Sequence, residues 1–274
     1  MKHRLLLLSV LCVVGFPVSA FSPLLINGAI VDKDHFKEVV AIKIGNTECT
    51  ATIVGTRAIV TAAHCGKTGD IAKFEYKGAQ YEAELTRNPL WPGKDIDVSI
   101  GITKADIVDA EPMNIGGEAK AGGVITLLGF GCTAPGAGFA PKPKPQQPSP
   151  DQDGDPEDDD QADDEDEWLG ATSLAADLRM GTSKIVSFSS FDMVSKEASG
   201  AALCFGDSGG PALAEVGGTY LLLGINSKGN IKDTNYNLRL DLPESQSFLK
   251  ETATDKGVEI CGINKTCKAT RTKP

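Results

Sequence analysis

The chain lacks sequence features that several common classes of protein require. Only 6% of its 274 residues are aromatic, while 30 are glycine, and nothing in this composition indicates a coiled coil or a collagen. After the first 20 residues no apolar stretch is long enough to span a bilayer. The composition is instead typical of a globular protein rich in turns and short strands, and the length allows one large all-β domain or two smaller ones.

Basic residues are not clustered anywhere in the chain. The formal net charge is −10, but residues 151–167 hold twelve Asp or Glu and no Lys or Arg, which leaves the rest of the chain at +2. A nearly neutral body without a basic face predicts no nucleic-acid partner and, once the amino-terminal segment is removed, no membrane partner.

The amino-terminal segment has the features of a secretory signal. Two basic residues precede the apolar run 5–14, and small residues suited to signal peptidase end the segment at Ala20. A membrane anchor is the alternative, but the run falls short of the ~20 residues that span a bilayer. We therefore expect residues 1–20 to be a signal peptide, residues 21–25 to be a short propeptide, and the mature protein to be secreted into the extracellular space or the periplasm.

The cysteine count agrees with export. Of the seven cysteines, only Cys12 leaves with the signal. An even number in an exported chain suggests three disulfides, and the count alone leaves their pairing open. The six that remain are Cys49, Cys65, Cys132, Cys204, Cys261 and Cys267.

Short β-branched and apolar runs, separated by Gly, Asn and Asp, occur in two sets. The first set lies within residues 26–102 and the second within 123–240, and such spacing is typical of β-sandwiches and barrels. A helix is predicted over 243–253, where Pro243 stands at the start and apolar residues follow at helical spacing. The tail 254–274 is polar, and its sequence indicates no function.

A biased stretch, residues 134–168, interrupts the second set. It is first rich in proline and then acidic, so it cannot bury enough apolar surface to offset its ordering entropy, and we expect a disordered surface loop. Asp151 to Asp155 is faintly similar to the start of a calcium loop, but the glutamate at the twelfth position is missing. We therefore expect no metal site there, and the sequence indicates no cofactor.

One histidine and one serine lie in sequence motifs that indicate a chemical role. His64 lies in Thr61-Ala62-Ala63-His64-Cys65 at the end of a β-type run, whereas His35 has no such setting and is interpreted as a surface residue. The stretch Gly206-Asp207-Ser208-Gly209-Gly210-Pro211 surrounds a serine with small residues, which admit a substrate and let N–H groups point into one pocket. A glycine-rich turn with an incidental serine is the alternative. The two motifs together favour acyl transfer through the serine, with the histidine as its base.

These motifs resemble the chymotrypsin and trypsin family of serine peptidases. Ile26-Asn27-Gly28-Ala29 is similar to the family's mature amino terminus, and Asp97-Val98-Ser99-Ile100 to the strand that carries its triad aspartate. The resemblance extends to about Ala253, outside the insertion. It implies an all-β fold of two antiparallel β-barrels, about 26–115 and about 120–242, with the active site in the cleft between them and a short C-terminal helix.

The resemblance also implies roles for individual residues. Ser208 would be the nucleophile of a secreted serine endopeptidase, His64 its general base, and Asp97 the residue that orients the histidine. The backbone N–H groups of Gly206 and Ser208 would bind the oxyanion. Asp95 would face the same side of a strand as Asp97, and Asp97 is preferred because an apolar and small run follows it.

Activation would follow the same family pattern. Asp207 would be the buried partner of a new α-ammonium at Ile26, because a buried carboxylate without a partner is costly. The chain would therefore be a zymogen until it is cut after Leu25.

The family also pairs Cys49 with Cys65. No cysteine after Lys228 stands in the usual place to pair with Cys204, so elimination pairs Cys132 with Cys204. Short spacing pairs Cys261 with Cys267. Lys228 itself stands where the family often has a tryptophan beside the substrate.

Four positions match those that contact substrate in the family. Ala202 would form the base of the primary pocket and Thr234 would shorten it, while Ser227 and Gly229 would pair with the substrate as an added strand. A basic side chain would be buried unpaired above Ala202, so we expect cleavage after small or medium apolar residues, with a bulky aromatic as the alternative. The expected partners are protein or peptide substrates, and we expect a monomer.

Two other functions compete with this interpretation. A non-catalytic protease homologue would act as a binding module, but the intact serine, histidine and aspartate argue against it. An esterase of the α/β-hydrolase type is disfavoured because the G-x-S-x-G motif is absent around Ser208.

Overall fold

In the computed structural model, residues 25–32, 34–132, 177–197 and 200–268 are described. The predicted signal peptide, most of the propeptide, the insertion 134–168 and the end of the tail lie outside the described residues. Among the described residues, no helix combines the length and the apolar character needed to cross a membrane.

The first barrel is a closed antiparallel sheet of six strands in the order β2-β3-β4-β7-β6-β5. Buried and exposed side chains alternate along its strands. In β5 the even positions Ala72, Phe74 and Tyr76 are buried and the odd positions are exposed, as expected for a sheet with one face against the core and one in solvent. The strands are β2 Val39–Ile44, β3 Thr47–Ile53, β4 Ala58–Thr61, β5 Ile71–Tyr76, β6 Ala79–Arg87 and β7 Ser99–Thr103.

The second barrel also has six strands, in the order β9-β10-β13-β12-β11-β8, and pairing of β8 with β9 closes it. A seventh strand, β1 Ala29–Ile30, adds to the edge of β9. The prediction of two antiparallel barrels is therefore confirmed, although β1, at the start of the chain, pairs with the second barrel. The strands are β8 Val124–Gly129, β9 Arg179–Phe188, β10 Asp192–Lys196, β11 Pro211–Val216, β12 Thr219–Gly229 and β13 Thr234–Arg239.

The predicted C-terminal helix is present as α1 Pro243–Lys256. Proline occupies its first turn, where no backbone N–H is needed, and Gly257 ends it in the left-handed conformation with φ of +61°. Phe248 and Leu249 are buried against the main core.

One apolar core joins the two barrels. It combines first-barrel residues such as Ile53 and Ile59 with second-barrel residues such as Leu213 and Ile225. The six cysteines pair as predicted, Cys49 with Cys65, Cys132 with Cys204 and Cys261 with Cys267. The shared core fixes the cleft, and the first two disulfides lie beside the segments that reach into it.

Burial in the first barrel predicts that truncating two isoleucines has very different effects on the free energy of unfolding. Ile59 is fully buried, whereas Ile71 is 38% exposed. In a Ser208→Ala background, which prevents self-digestion, we expect Ile59→Ala to lower the free energy of unfolding by about 2–5 kcal/mol and Ile71→Ala by less than about 1 kcal/mol. Urea unfolding measures both, and equal losses would contradict the barrel packing.

Candidate active site

A histidine and a buried aspartate form the centre of the site. His64 lies in a single 3-10 turn, Ala63–Cys65, that follows β4, and Asp97 precedes β7 by two residues. The His64 Nδ1 atom is 2.7 Å from Asp97 Oδ2, and the His64 backbone N–H donates to Asp97 Oδ1 at 2.9 Å. Two contacts to one carboxylate hold the ring in a fixed orientation.

A hydroxyl from the second barrel completes the set of hydrogen bonds to Asp97. Ser227, in β12, donates from Oγ to Asp97 Oδ2 at 2.6 Å. Burial acts to raise the pKa of Asp97, but the charge and hydrogen bonds of His64, with the Ser227 hydroxyl, hold this pKa below its usual value. Asp97 is fully buried and remains a carboxylate that can stabilise a cationic ring.

Backbone contacts place the Ser208 segment against the segment that carries His64. The Ser208 carbonyl accepts from Thr50 N at 2.8 Å, and Cys65, next to His64, brings its sulfur within 3.9 Å of the same oxygen. Gly209 has φ of +82° and no room for a side chain, since a Cβ there would lie 2.0 Å from Thr61 Oγ1. Among the described residues, no hydrogen bond joins the Ser208 hydroxyl to the His64 ring, and such bonds often tighten only when substrate is bound.

Two backbone donors beside Ser208 are available for an anion. The N–H groups of Gly206 and Ser208 donate to no partner among the described residues. Gly206 has φ of +96°, which favours glycine at this position. Unpaired N–H groups that flank a serine are the donors an oxyanion requires.

Asparagines support this motif from the neighbouring strands. Asn226 Nδ2 donates to Leu128 O at 3.0 Å and to Asp207 O at 3.3 Å, and its backbone carbonyl accepts from Gly209 N at 2.8 Å. Asn237 in turn donates to Asn226 Oδ1 at 2.9 Å. These asparagines and the bond from Ser227 to Asp97 could not be predicted from sequence, because no local pattern distinguishes a buried asparagine or serine whose partner is distant in the chain.

Asp207 is the second buried carboxylate near the serine. It is fully buried and accepts from the backbone N–H groups of Gly131 and Cys204, each at 2.8 Å. Burial raises the pKa of Asp207 to about 7, although these two hydrogen bonds act to lower it. Among the described residues, the carboxyl group of Asp207 has only neutral hydrogen-bond partners.

The residues near the start of the described chain lie beside the second barrel. Leu25 is fully buried in that barrel's core and has φ of +45°. Ile26 pairs with Ala202, whose N–H donates to the Ile26 carbonyl at 2.9 Å. Ile26 also packs with the Cys132 and Cys204 pair.

The structure separates the roles of the two candidate aspartates. Asp97 contacts His64, whereas Asp95 is half-exposed and pairs with Lys228 at 2.5 Å. The preference for Asp97 over Asp95 as the partner of the histidine therefore agrees with the geometry.

The predicted pocket residues lie close together. Gly229 pairs with Asn235 across β12 and β13, and a Cβ on Gly229 would lie 3.1 Å from Thr234 O and 3.4 Å from Leu203 Cβ. Ala202 precedes Leu203 and is fully buried. Asn235 fixes the backbone on both sides of Ala202, because its side chain accepts from Leu203 N at 2.8 Å and donates to Ala201 O at 2.9 Å.

The site has one cluster of residue types that can bind metals. Cys49, His64 and Cys65 have ligand atoms within 4.8 Å of one another. Both sulfurs form the disulfide, so they are not thiolates, which metal coordination requires.

Comparison with known proteins agrees with this geometry. The family model described as trypsin matches residues 25–135, a range that includes His64 and Asp97 and ends before Ser208. No curated protein matches the chain. The family match over residues 25–135 and the two six-stranded antiparallel barrels support a chymotrypsin and trypsin-like serine protease.

The buried Asp207 predicts a pH-dependent stability of the uncut chain. Its pKa of about 7 in the folded protein lies above the ordinary value of 3.8, so the folded state keeps a proton that the unfolded state releases. This contribution is fully present below about pH 4 and is lost as the pH rises to about 7, with a slope of at most about 1.4 kcal/mol per pH unit.

Urea unfolding of the uncut Ser208→Ala protein between pH 4 and 8 tests this expectation. The Asp207→Asn variant in the same background should show a flatter decline, because it lacks the titrating group, whatever its absolute stability. Parallel curves for the two proteins would contradict the raised pKa.

Proposed function

We propose that the protein is a secreted serine endopeptidase that hydrolyses peptide bonds through an acyl-enzyme on Ser208. The observation that carries this proposal is the buried Asp97, which contacts His64 from its own barrel and Ser227 from the other. That arrangement fixes a base at the cleft, where the Ser208 motif also lies. The disulfides support secretion, because such bonds persist in oxidising compartments.

The proposed reaction proceeds in two halves. His64 Nε2 accepts the proton of the Ser208 hydroxyl while Oγ attacks the carbonyl carbon of the scissile bond. The N–H groups of Gly206 and Ser208 donate to the oxyanion, and Asp97 stabilises the imidazolium without taking its proton. The imidazolium protonates the leaving amine as the C–N bond breaks. Water then attacks the acyl-enzyme with His64 again as base, which releases the acid and restores Ser208.

Features of the pocket support an apolar preference. No carboxylate lies at Ala202, so a bound basic side chain would lack a partner there. The turn between Gly229 and Thr234 is short, and Asn230 Oδ1 accepts three backbone N–H groups within it, each at 3.0 Å. The turn directs Ile231 onto the cluster that includes Ala202, which favours a shallow apolar pocket.

Matched peptides that differ only in the residue before the cut test the activity and its preference together. We expect kcat/KM to be highest for Ala, Val or Leu, lower for Phe and lowest for Arg, with graded differences of ~1 to 3 kcal/mol per methylene. Ser208→Ala and His64→Ala should each lower kcat by about 10⁴ to 10⁶. A kcat of Ser208→Ala that is not lowered to this extent would refute the mechanism. Arg as the best of the five residues would refute the preference.

Activation by cleavage is a further part of the proposal. A new α-ammonium would give Asp207 the charged partner that it lacks in the uncut chain. The predicted cut after Leu25 would remove a fully buried side chain from the core, and the resulting cavity costs about 2–5 kcal/mol. A cut before Leu25 keeps that side chain and frees its left-handed φ, so the structure favours a start one residue earlier than Ile26.

Amino-terminal sequencing of the active protein distinguishes the two cuts. We expect Leu25-Ile26-Asn27, while Ile26-Asn27-Gly28 would support the cut predicted from sequence. An active form that begins at Phe21 would contradict activation by either cut. Asp207→Asn should leave the cut chain with less activity than the cut wild type, because the ammonium loses its carboxylate.

A further inference from the structure

A lysine beside the proposed substrate strand joins the two barrels. Lys228 follows Ser227 at the end of β12, and its Nζ atom lies 2.5 Å from Asp95 Oδ2 and 4.0 Å from Asp192 Oδ2. Asp95 belongs to the first barrel, whereas Asp192 begins β10 of the second. One ammonium group therefore faces two carboxylates from opposite sides of the cleft.

Each end of this contact is close in sequence either to Asp97 or to Ser227, which donates a hydrogen bond to Asp97. Asp95 is two residues before Asp97 and has φ of +57°, a conformation that needs support from its surroundings in a residue other than glycine. Lys228 directly follows Ser227, which donates to Asp97. The ion pair and the hydrogen bond thus connect the same two segments at adjacent points.

The ammonium group of Lys228 offsets the negative charge of the carboxylates around it. Asp192 has a nearly buried side chain, and one of its oxygens, Oδ1, has no hydrogen-bond partner among the described residues. Burial raises the pKa of Asp192 to about 6, and the charge of Lys228 acts to lower it. The groups that face Lys228 are Asp95, Asp192, the ring of Tyr236 at 5.9 Å and, through space, Asp97. Without the ammonium group, the carboxylates of Asp95, Asp97 and Asp192 would repel one another without an opposite charge beside them.

We propose that Lys228 is a positioning residue, which holds the Asp95 segment against the strand of Ser227 and so keeps Asp97 and His64 in register. The proposal rests on the proposed peptidase function for its kinetic consequences, but its consequence for the hydrogen bond between His64 and Asp97 does not. Lys228 acts through the residues around it, and a substrate pairs with the backbone of this strand, so loss of the side chain affects turnover more than substrate binding.

Four variants test the proposal: Lys228→Met, Lys228→Arg, Asp95→Asn and the control Lys250→Met, which removes the same charge from an exposed position on α1. With the best peptide substrate of the processed protein, we expect Lys228→Met to lower kcat by about tenfold, within the hundredfold that a misplaced catalytic group can cost, with KM little changed. Lys228→Arg should recover most of the loss. Asp95→Asn should give a loss that is not additive with that of Lys228→Met.

The second readout is the hydrogen bond between His64 Nδ1 and Asp97, followed by NMR of the downfield Nδ1 proton at one fixed pH. Loss of the ion pair releases the segment that carries Asp97, so this proton signal should shift upfield or broaden in Lys228→Met relative to the wild type. This readout needs no turnover. An inactive wild type with this shift would refute the peptidase function and support the positioning role.

Equal kcat values and equal Nδ1 proton signals of His64 in the wild type and Lys228→Met would overturn the proposal. So would equal effects of Lys228→Met and Lys250→Met, since these would show a general loss of charge. If Lys228→Met does not fold, Asp95→Asn removes the same ion pair from a half-exposed position, and a wild-type Nδ1 proton signal of His64 in that variant would overturn the proposal.

Discussion

The carboxylate of Asp97 has no contact with solvent, and its need for partners constrains the cleft. A buried charge is tolerated only where hydrogen bonds and opposite charge replace the water it has lost. His64 supplies two contacts from the first barrel and Ser227 a third from the second. Because the partners come from both barrels, a shift of one barrel against the other would leave the charge unsatisfied. The position of the base is thus coupled to the packing of the whole fold.

The candidate site contains two buried carboxylates, Asp97 and Asp207, that differ in their partners. Asp97 is paired in the chain as described, whereas Asp207 has only two backbone donors. The difference appears in the pKa values, since that of Asp97 is lowered and that of Asp207 is raised to about 7. Asp97 holds the histidine as the protein is folded. Under the proposed activation, Asp207 would receive the positive charge that proteolysis creates, so the cost of a buried carboxylate would serve orientation at Asp97 and activation at Asp207.

Alternation, capping and short spacing predicted the two sets of strands, the terminal helix and the pairing of Cys261 with Cys267. The resemblance to the chymotrypsin and trypsin family implied the two barrels, the pairing of Cys49 with Cys65 and the contact of His64 with Asp97. Contacts between distant residues could not be predicted in this way. Ser227 is 130 residues from Asp97, Lys228 is 133 residues from Asp95, and nothing local links either pair. The pairing of Ala29 with Met180 in the second barrel was missed for the same reason, since Ala29 falls within the range of about 26–115 expected for the first barrel.

The nucleophile is the most direct point at which to test the function. The processed protein is treated with a serine-directed organophosphonate, and the adduct is mapped by mass spectrometry in the wild type and in His64→Ala. A single adduct on Ser208 in the wild type, formed far more slowly in His64→Ala, is the predicted result, because the serine needs its base to become reactive. Absence of an adduct on the correctly processed and folded wild type would contradict the assignment and indicate a binding module on a protease fold.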